Sequence, residues 1–234
     1  MGGAAGALRG GGRRHGSDRR PDAGGRGGSD RNAVERASGV GLVRIVGGSL
    51  RGRRLRVPDR GVRPTSEKTR EAIFDILGPR LVQGARVLDL FAGTGAMGIE
   101  ALSRGAERAD FVDGRKSVAR TLSANLRVVG LESRARVHVA DLNHPALPPE
   151  LEGTWGLIFL DPPYDGDAGS LWVEALARAS SIEPSGCLVY ERRKGTAAPE
   201  PAALALATER TYGDTTVAFY RAGVPPGEAP RGGT

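Results

Sequence analysis

The chain has 234 residues, enough for one sizeable core, and its 34 Lys and Arg against 27 Asp and Glu give a net charge of +7. A single cysteine, Cys187, excludes an intramolecular disulfide framework. No apolar run is long enough for a membrane span and no charged-then-apolar start resembles a signal peptide, so a soluble cytoplasmic protein without membrane contact is expected.

The charge is unevenly spread. Residues 1–70 carry a net +11 and residues 71–234 a net −4, which points to a polyanion engaged by the N-terminal part. The alternative is an arginine-decorated solvated face. Residues 1–38 hold eleven glycines and eight arginines with scarcely any branched apolar residue. Such a stretch cannot offset its ordering entropy, and it is expected to be a disordered tail, as is the shorter run 222–234.

Between the tails, Leu42–Val46 and Leu50–Val57 read as two short strands around Gly47-Gly48-Ser49. The second is dense in arginine, so a small basic hairpin lying outside the main fold is expected, with Arg51, Arg53 and Arg54 together on it. After Arg63-Pro64, Thr65 or Ser66 can cap a helix with Glu67 in its first turn. Ile73, Phe74, Ile76 and Leu77 form its apolar stripe and Gly78-Pro79 stops it. Hairpin and helix together form a basic segment over residues 39–80, the part expected to meet a polyanion.

From residue 85 strands and helices alternate. Strands are expected at 85–90, 109–113, 135–140, 155–160 and 186–191, and helices at about 96–104, 116–129 and 169–180. Continuous apolar strands alternating with helices argue for a parallel sheet covered on both faces. The runs 205–212 and 215–221 flank Gly213-Asp214, so an antiparallel edge pair should end the sheet. The main domain is thus placed at 81–221, with an α/β fold and a mainly parallel seven-stranded sheet.

The segment from Val87 to Gly98 ends a strand and opens a helix, and Gly93, Gly95 and Gly98 satisfy G-x-G-x-x-G. Asp113 follows Gly93 by twenty residues, at the end of the next strand. Taken alone this fits a dinucleotide site, or a glycine turn that only lets helix and sheet approach. Asp89, however, lies just ahead of the glycines, where a pyrophosphate should meet no carboxylate. S-adenosylmethionine is cationic and has no phosphate; Asp89 suits its amino group and Asp113 its ribose diol. Asp141, at the end of the third strand, is placed for the adenine amino group, and an ordinary polar strand end explains it equally well.

The fourth strand stops at Asp161-Pro162-Pro163-Tyr164. Two prolines fix φ and remove two donors, so the chain leaves the sheet in one stiff extended conformation. Asp161 and the Pro162 carbonyl can accept both hydrogens of an exocyclic amine, whose lone pair then localises toward a methyl donor. Tyr164 can stack on the base, and the chemistry requires no metal. A strand terminator with no further role is the competing reading.

The segments RIVGGSLRGRRL (44–55), RPTSEKTREAIFDIL (63–77), LDLFAGTGAMGIEALSRGA (88–106) and FLDPPY (159–164) resemble the bacterial small-subunit rRNA guanine-N2 methyltransferases of the RsmD type. The resemblance covers about residues 43–221. It implies a class I methyltransferase fold, S-adenosylmethionine as donor, and a guanine of 16S rRNA in the small subunit or its assembly intermediate as substrate. Carried over by position, Asp161, Pro162, Pro163 and Tyr164 would be catalytic. Asp89, Phe91, Ala92, Gly93, Gly95, Asp113 and Asp141 would hold the cofactor; the basic residues Arg51, Arg53, Arg54, Arg63 and Lys68 of the arm are, from their charge, the candidates to meet RNA. The run Asp113-Gly114-Arg115 departs from the family pattern and leaves ribose contact to Asp113 itself. Three rival readings remain at this point: an adenine-N6 methyltransferase on DNA or RNA, a non-catalytic RNA-binding or assembly protein, and a nicotinamide oxidoreductase. Nothing in the sequence suggests an obligate dimer, and a monomer is expected.

Overall fold

The computed structural model describes residues 41–58, 65–164 and 166–223, all within one compact unit. The expected tail at 1–38, the end at 224–234 and Arg63 lie outside the described residues.

Seven strands form one sheet: β3 (Arg86–Leu90), β4 (Arg108–Asp113), β5 (Ala135–Val139), β6 (Trp155–Leu160), β7 (Ile182–Arg193), β8 (Leu204–Tyr212) and β9 (Thr215–Ala222). Their spatial order is β5-β4-β3-β6-β7-β9-β8. The pairs from β5 across to β7 are parallel, and β9 pairs antiparallel with both β7 and β8. The chain therefore starts at β3, builds outward through β4 and β5, then returns to lay β6 on the other side of β3. Open α/β sheets bind ligands at the carboxyl ends of strands where the order reverses in this way, here between β3 and β6.

The period-two alternation of strand side chains sorts the core into two layers. Leu157 and Phe159 face one layer with helices α1 (Glu67–Val82), α2 (Ala96–Ser103) and α3 (Lys116–Val129). Ile158 and Leu160 face the other with Trp172, Val173 and Leu176 of α4 (Ala168–Arg178). Every residue of β6 is buried, as its unbroken apolar run requires.

Two elements depart from the sequence reading. β7 begins at Ile182, four residues early, and its pairing with β6 shifts between Trp155 and Leu157. The hairpin is smaller than expected: β1 (Leu42–Arg44) pairs with β2 (Arg54–Arg56) over three residues, and the Gly47-Gly48-Ser49 stretch is not a tight turn between them. Its backbone docks on α2 instead. Glu100 accepts from Val46 N at 2.8 Å and Gly47 N at 2.6 Å, while Leu50 N donates to Ser103 Oγ at 2.9 Å. The expected position of the arm outside the main fold is thus corrected. Buried Asn125 of α3 completes the link, holding Arg56 N and O at 2.8 and 2.9 Å and Thr94 O, in the glycine loop, at 3.2 Å.

In α1, Ser66 is the cap, accepting from Thr69 N at 3.1 Å; Gly78, at φ 67°, kinks the helix, which resumes through Pro79 to Val82 instead of stopping at the Gly-Pro pair as expected. β9 includes Ala222, one residue into the expected C-terminal tail.

Candidate active site

The carboxyl ends of β3, β4 and β6 bring Asp89, Asp113 and Asp161 to one edge of the sheet. Asp89 is 4% exposed, and its Oδ2 accepts from Gly98 N at 2.9 Å. Gly98 is the third residue of α2, whose N-cap Gly95 offers no side chain. Asp89 therefore caps the helix from the neighbouring strand, leaving Oδ1 as the oxygen for a ligand. Burial raises its carboxyl to about 8, with Asp161 and Asp113 adding to the rise and Gly98 N opposing it.

The glycines have packing reasons of their own. Gly95 sits at φ 75°, and a Cβ there would overlap Leu122; one at Gly98 would overlap the Phe111 ring. Close approach of α2 to the sheet thus explains these two positions. Phe91, at the head of the loop, holds φ 58°. For a bulky residue that conformation costs free energy, and such strain concentrates at functional loops.

Asp113 ties the loop to β4: its Oδ2 accepts from Gly93 N at 3.1 Å, and its Oδ1 from Arg115 N at 2.9 Å and Arg115 Nε at 3.4 Å. Ala92 N donates to Val112 O at 3.0 Å alongside. Asp141 is exposed and closes a local turn, accepting from Asn143 N at 2.9 Å and Asn143 Nδ2 at 2.8 Å. Those bonds, chiefly the one from the Asn143 backbone, hold its carboxyl below its ordinary value.

Asp161 follows β6 directly, partly buried, with Pro162 buried behind it and Pro163 exposed. Burial pushes its carboxyl up to about 7, and a hydrogen bond from Thr65 opposes the rise. The Tyr164 ring is exposed, and its hydroxyl lies 2.6 Å from Thr215 Oγ1 on β9. That contact fixes the ring at the mouth of the site.

Sequence reasoning missed Glu191 of β7 and the second use of Thr65. Thr65 Oγ1 lies 2.9 Å from Glu191 Oε1, and Glu191 is 5% exposed. Burial first, then the charge of Asp161, pushes the Glu191 carboxyl well above its ordinary value. Behind Thr65, fully buried Arg70 donates to Thr65 O at 3.1 Å and to Arg44 O, and pairs with Glu100 at 3.5 Å.

The basic residues are placed less uniformly. Arg51, Arg54 and Lys68 are exposed. Arg53 donates to Val128 O at 2.6 Å, serving the last turn of α3.

The sheet order and the relatives define a class I methyltransferase fold, and the protein is a methyltransferase. The chain belongs to the family described as Conserved hypothetical protein 95, which matches residues 43–221. It is 38% identical over 184 residues to the putative rRNA methyltransferase YlbH of Bacillus subtilis, covering 76% of this chain and 98% of that one. It is 30% identical over 190 residues to ribosomal RNA small subunit methyltransferase D of Haemophilus influenzae, with 80% and 98% covered. Among solved structures it resembles the putative methyltransferase yhhF from Escherichia coli, with a TM-score of 0.67, 31% identity, and 78% and 98% of the chains covered. A putative RNA methyltransferase from Pyrococcus horikoshii shares the fold at 15% identity and a TM-score of 0.57.

Proposed function

We infer that this chain transfers a methyl group from S-adenosylmethionine to the exocyclic N2 amine of a guanine in 16S rRNA, within the small subunit or an assembly intermediate. The observation that carries the reading is the convergence of Asp161-Pro162 with Asp89 at the reversal of the sheet, beneath an exposed Tyr164. The substrate class rests on relatives named as small-subunit rRNA methyltransferases, together with the basic arm.

The donor set fits a cation. Asp89 and Asp161 are pushed upward by burial, and Asp161 and Asp113 stand among the charges that raise Asp89 further. A positively charged ligand would relieve that crowding, whereas a pyrophosphate would add to it. When bound, S-adenosylmethionine supplies a methyl carbon on a sulfonium, which departs as a neutral thioether. Asp89 Oδ1 would hold its ammonium, Asp113 would shape the loop against the ribose, and Asp141 would face the adenine. Asp161 and the Pro162 carbonyl accept the two amine hydrogens, and Asp161 takes the proton the methylated amine must lose. Tyr164 stacks on the base, a contact worth ~1–3 kcal/mol in single-strand recognition. One chain provides all of these groups, which supports a monomer as the acting unit. No helix among the described residues is long and apolar enough to cross a membrane. A ribosomal substrate would put the enzyme in the cytoplasm.

The reading is tested by incubating the protein and labelled donor with small subunits and 16S rRNA from an unmodified strain, and with duplex DNA. N2-methylguanosine should appear in rRNA digests and DNA should stay unlabelled. Label recovered as N6-methyladenine would favour the adenine enzyme, and no label in any substrate the binding protein.

The role of the arm has its own test. Replacing Arg51, Arg54 and Lys68 with Ala should reduce the salt slope of RNA binding by roughly 0.7–0.9 per lost phosphate contact and raise KM for subunits. Arg53 is left in place because it serves Val128. Donor affinity should hold. An unchanged slope would reduce the arm to a solvated face.

A further inference from the structure

β7 outruns its neighbour. Leu160, the last residue of β6, pairs with Tyr190, and β7 continues through Glu191, Arg192 and Arg193 past the point where β6 gives way to Asp161-Pro162. At a strand's rise per residue, its end stands about 10 Å beyond Tyr190, as a wall beside the site. That wall ends in Arg192-Arg193-Lys194, the only run of three consecutive Lys or Arg residues in the chain. It falls within residues 71–234, whose net charge is −4.

The three cations are employed differently. Arg192 is buried, donates to Thr196 O and pairs with Glu209. Strand alternation sends Arg193 to the opposite face. Arg193 and Lys194 are exposed, and among the described residues no ion pair involves either of them or the exposed Asp214 of the neighbouring turn. Lys194 is fixed by its backbone, whose N–H donates to Asp214 O at 2.8 Å.

The register sets this pair beside Tyr164. Arg193 lies directly opposite Thr215 on β9. Opposed residues of an antiparallel pair share a face, with Cβ atoms ~4.5–5.5 Å apart. Thr215 Oγ1 is the atom 2.6 Å from the Tyr164 hydroxyl. The Arg193 side chain therefore starts one side chain away from the ring, where a base stacked on Tyr164 would bring its own flanking phosphates. The basic arm comes from the other side: it is held by α2 and α3, which pack on β3, β4 and β5. The carboxyl ends of β3 and β6 lie between the two.

We propose that Arg193 and Lys194 are a phosphate-binding pair for the single-stranded RNA that carries the target base, gripping it on the flank opposite the basic arm. The inference rests on the reading of an RNA substrate stacked on Tyr164. Proteins that hold single strands combine an aromatic platform with cations that track the backbone, and here platform and cations meet at Thr215.

The test uses the full chain carrying Arg193→Ala with Lys194→Ala, the charge-keeping Arg193→Lys, and the double change combined with the arm variant. Binding to 16S rRNA from an unmodified strain is read over a range of salt, turnover on small subunits, and donor affinity by calorimetry. The double variant should lower the salt slope by about 1.4, two contacts at ~0.7 each on single strands, and raise KM several-fold with donor affinity unchanged. Arg193→Lys should keep the slope, and the losses from pair and arm should add. A slope that falls as far in Arg193→Lys would trace the effect to shape instead of charge and overturn the inference. Weakened donor affinity would overturn it too, assigning the pair to the donor's carboxylate. If the unaltered protein methylates no rRNA, the reading of the substrate fails and this inference with it. If it methylates rRNA and the double variant matches it in slope and KM, only the present inference fails.

Discussion

Asp161→Asn should all but abolish methyl transfer while donor affinity changes only slightly. An amide of the same shape still fills the strand end, but it neither takes the amine proton nor localises the lone pair through a charge. Loss of a positioned general base costs roughly 10²–10⁴ in rate, and single-turnover measurements on small subunits would read it directly. The pH dependence has a definite sign. With the Asp161 carboxyl held near 7, its ionised form gains as pH rises, so kcat should climb through about pH 7 and level off above it. A variant close to the unaltered rate would remove the tetrad from the chemistry.

The second large effect is on stability. Arg70→Met removes a fully buried guanidinium and leaves Glu100, also fully buried, facing fewer partners. Breaking a buried pair from one side costs ~3–5 kcal/mol, and the low end applies because Arg104 still meets Glu100 at 2.9 Å. For a chain of this size about 3 kcal/mol lowers Tm by roughly 6–12 °C. A melting temperature unmoved by Arg70→Met would mean that the pair contributes nothing.

What the sequence showed and what it concealed follow from the range of the interactions. The parallel strands were legible because each is a continuous apolar run, and β6 was placed to the residue. The start of β7 was not, because Ile182-Glu183-Pro184-Ser185 mixes a charge and a proline into the strand. The hairpin was misjudged for a different reason. Its Gly-Gly-Ser stretch looks like a local turn, yet Val46, Gly47 and Leu50 find their partners on Glu100 and Ser103, more than fifty residues away. The site divides similarly. Asp161-Pro162-Pro163-Tyr164 announces itself by composition at a strand end. Glu191 reads as a polar residue closing an apolar run, and only the register of β7 against β6 sets it beside Asp161. Asp89 was found, but its service to the N-terminus of α2 depends on a helix packed over the strand.

The two outer strands of the sheet bear on what can attach to it. β5 is only five residues long, and its partly exposed face presents Arg136. β8 exposes Glu209 and Arg210 and slips register against β9 between Leu206 and Thr208. Short length, charge and an irregular ladder are the devices by which natural sheets refuse an added strand. Among the described residues, an extended peptide or a second copy at high concentration therefore meets a short edge at β5 and a charged, irregular one at β8. Recognition of an RNA substrate would then be left to side chains, where it can be weakened by salt and reversed after each turnover.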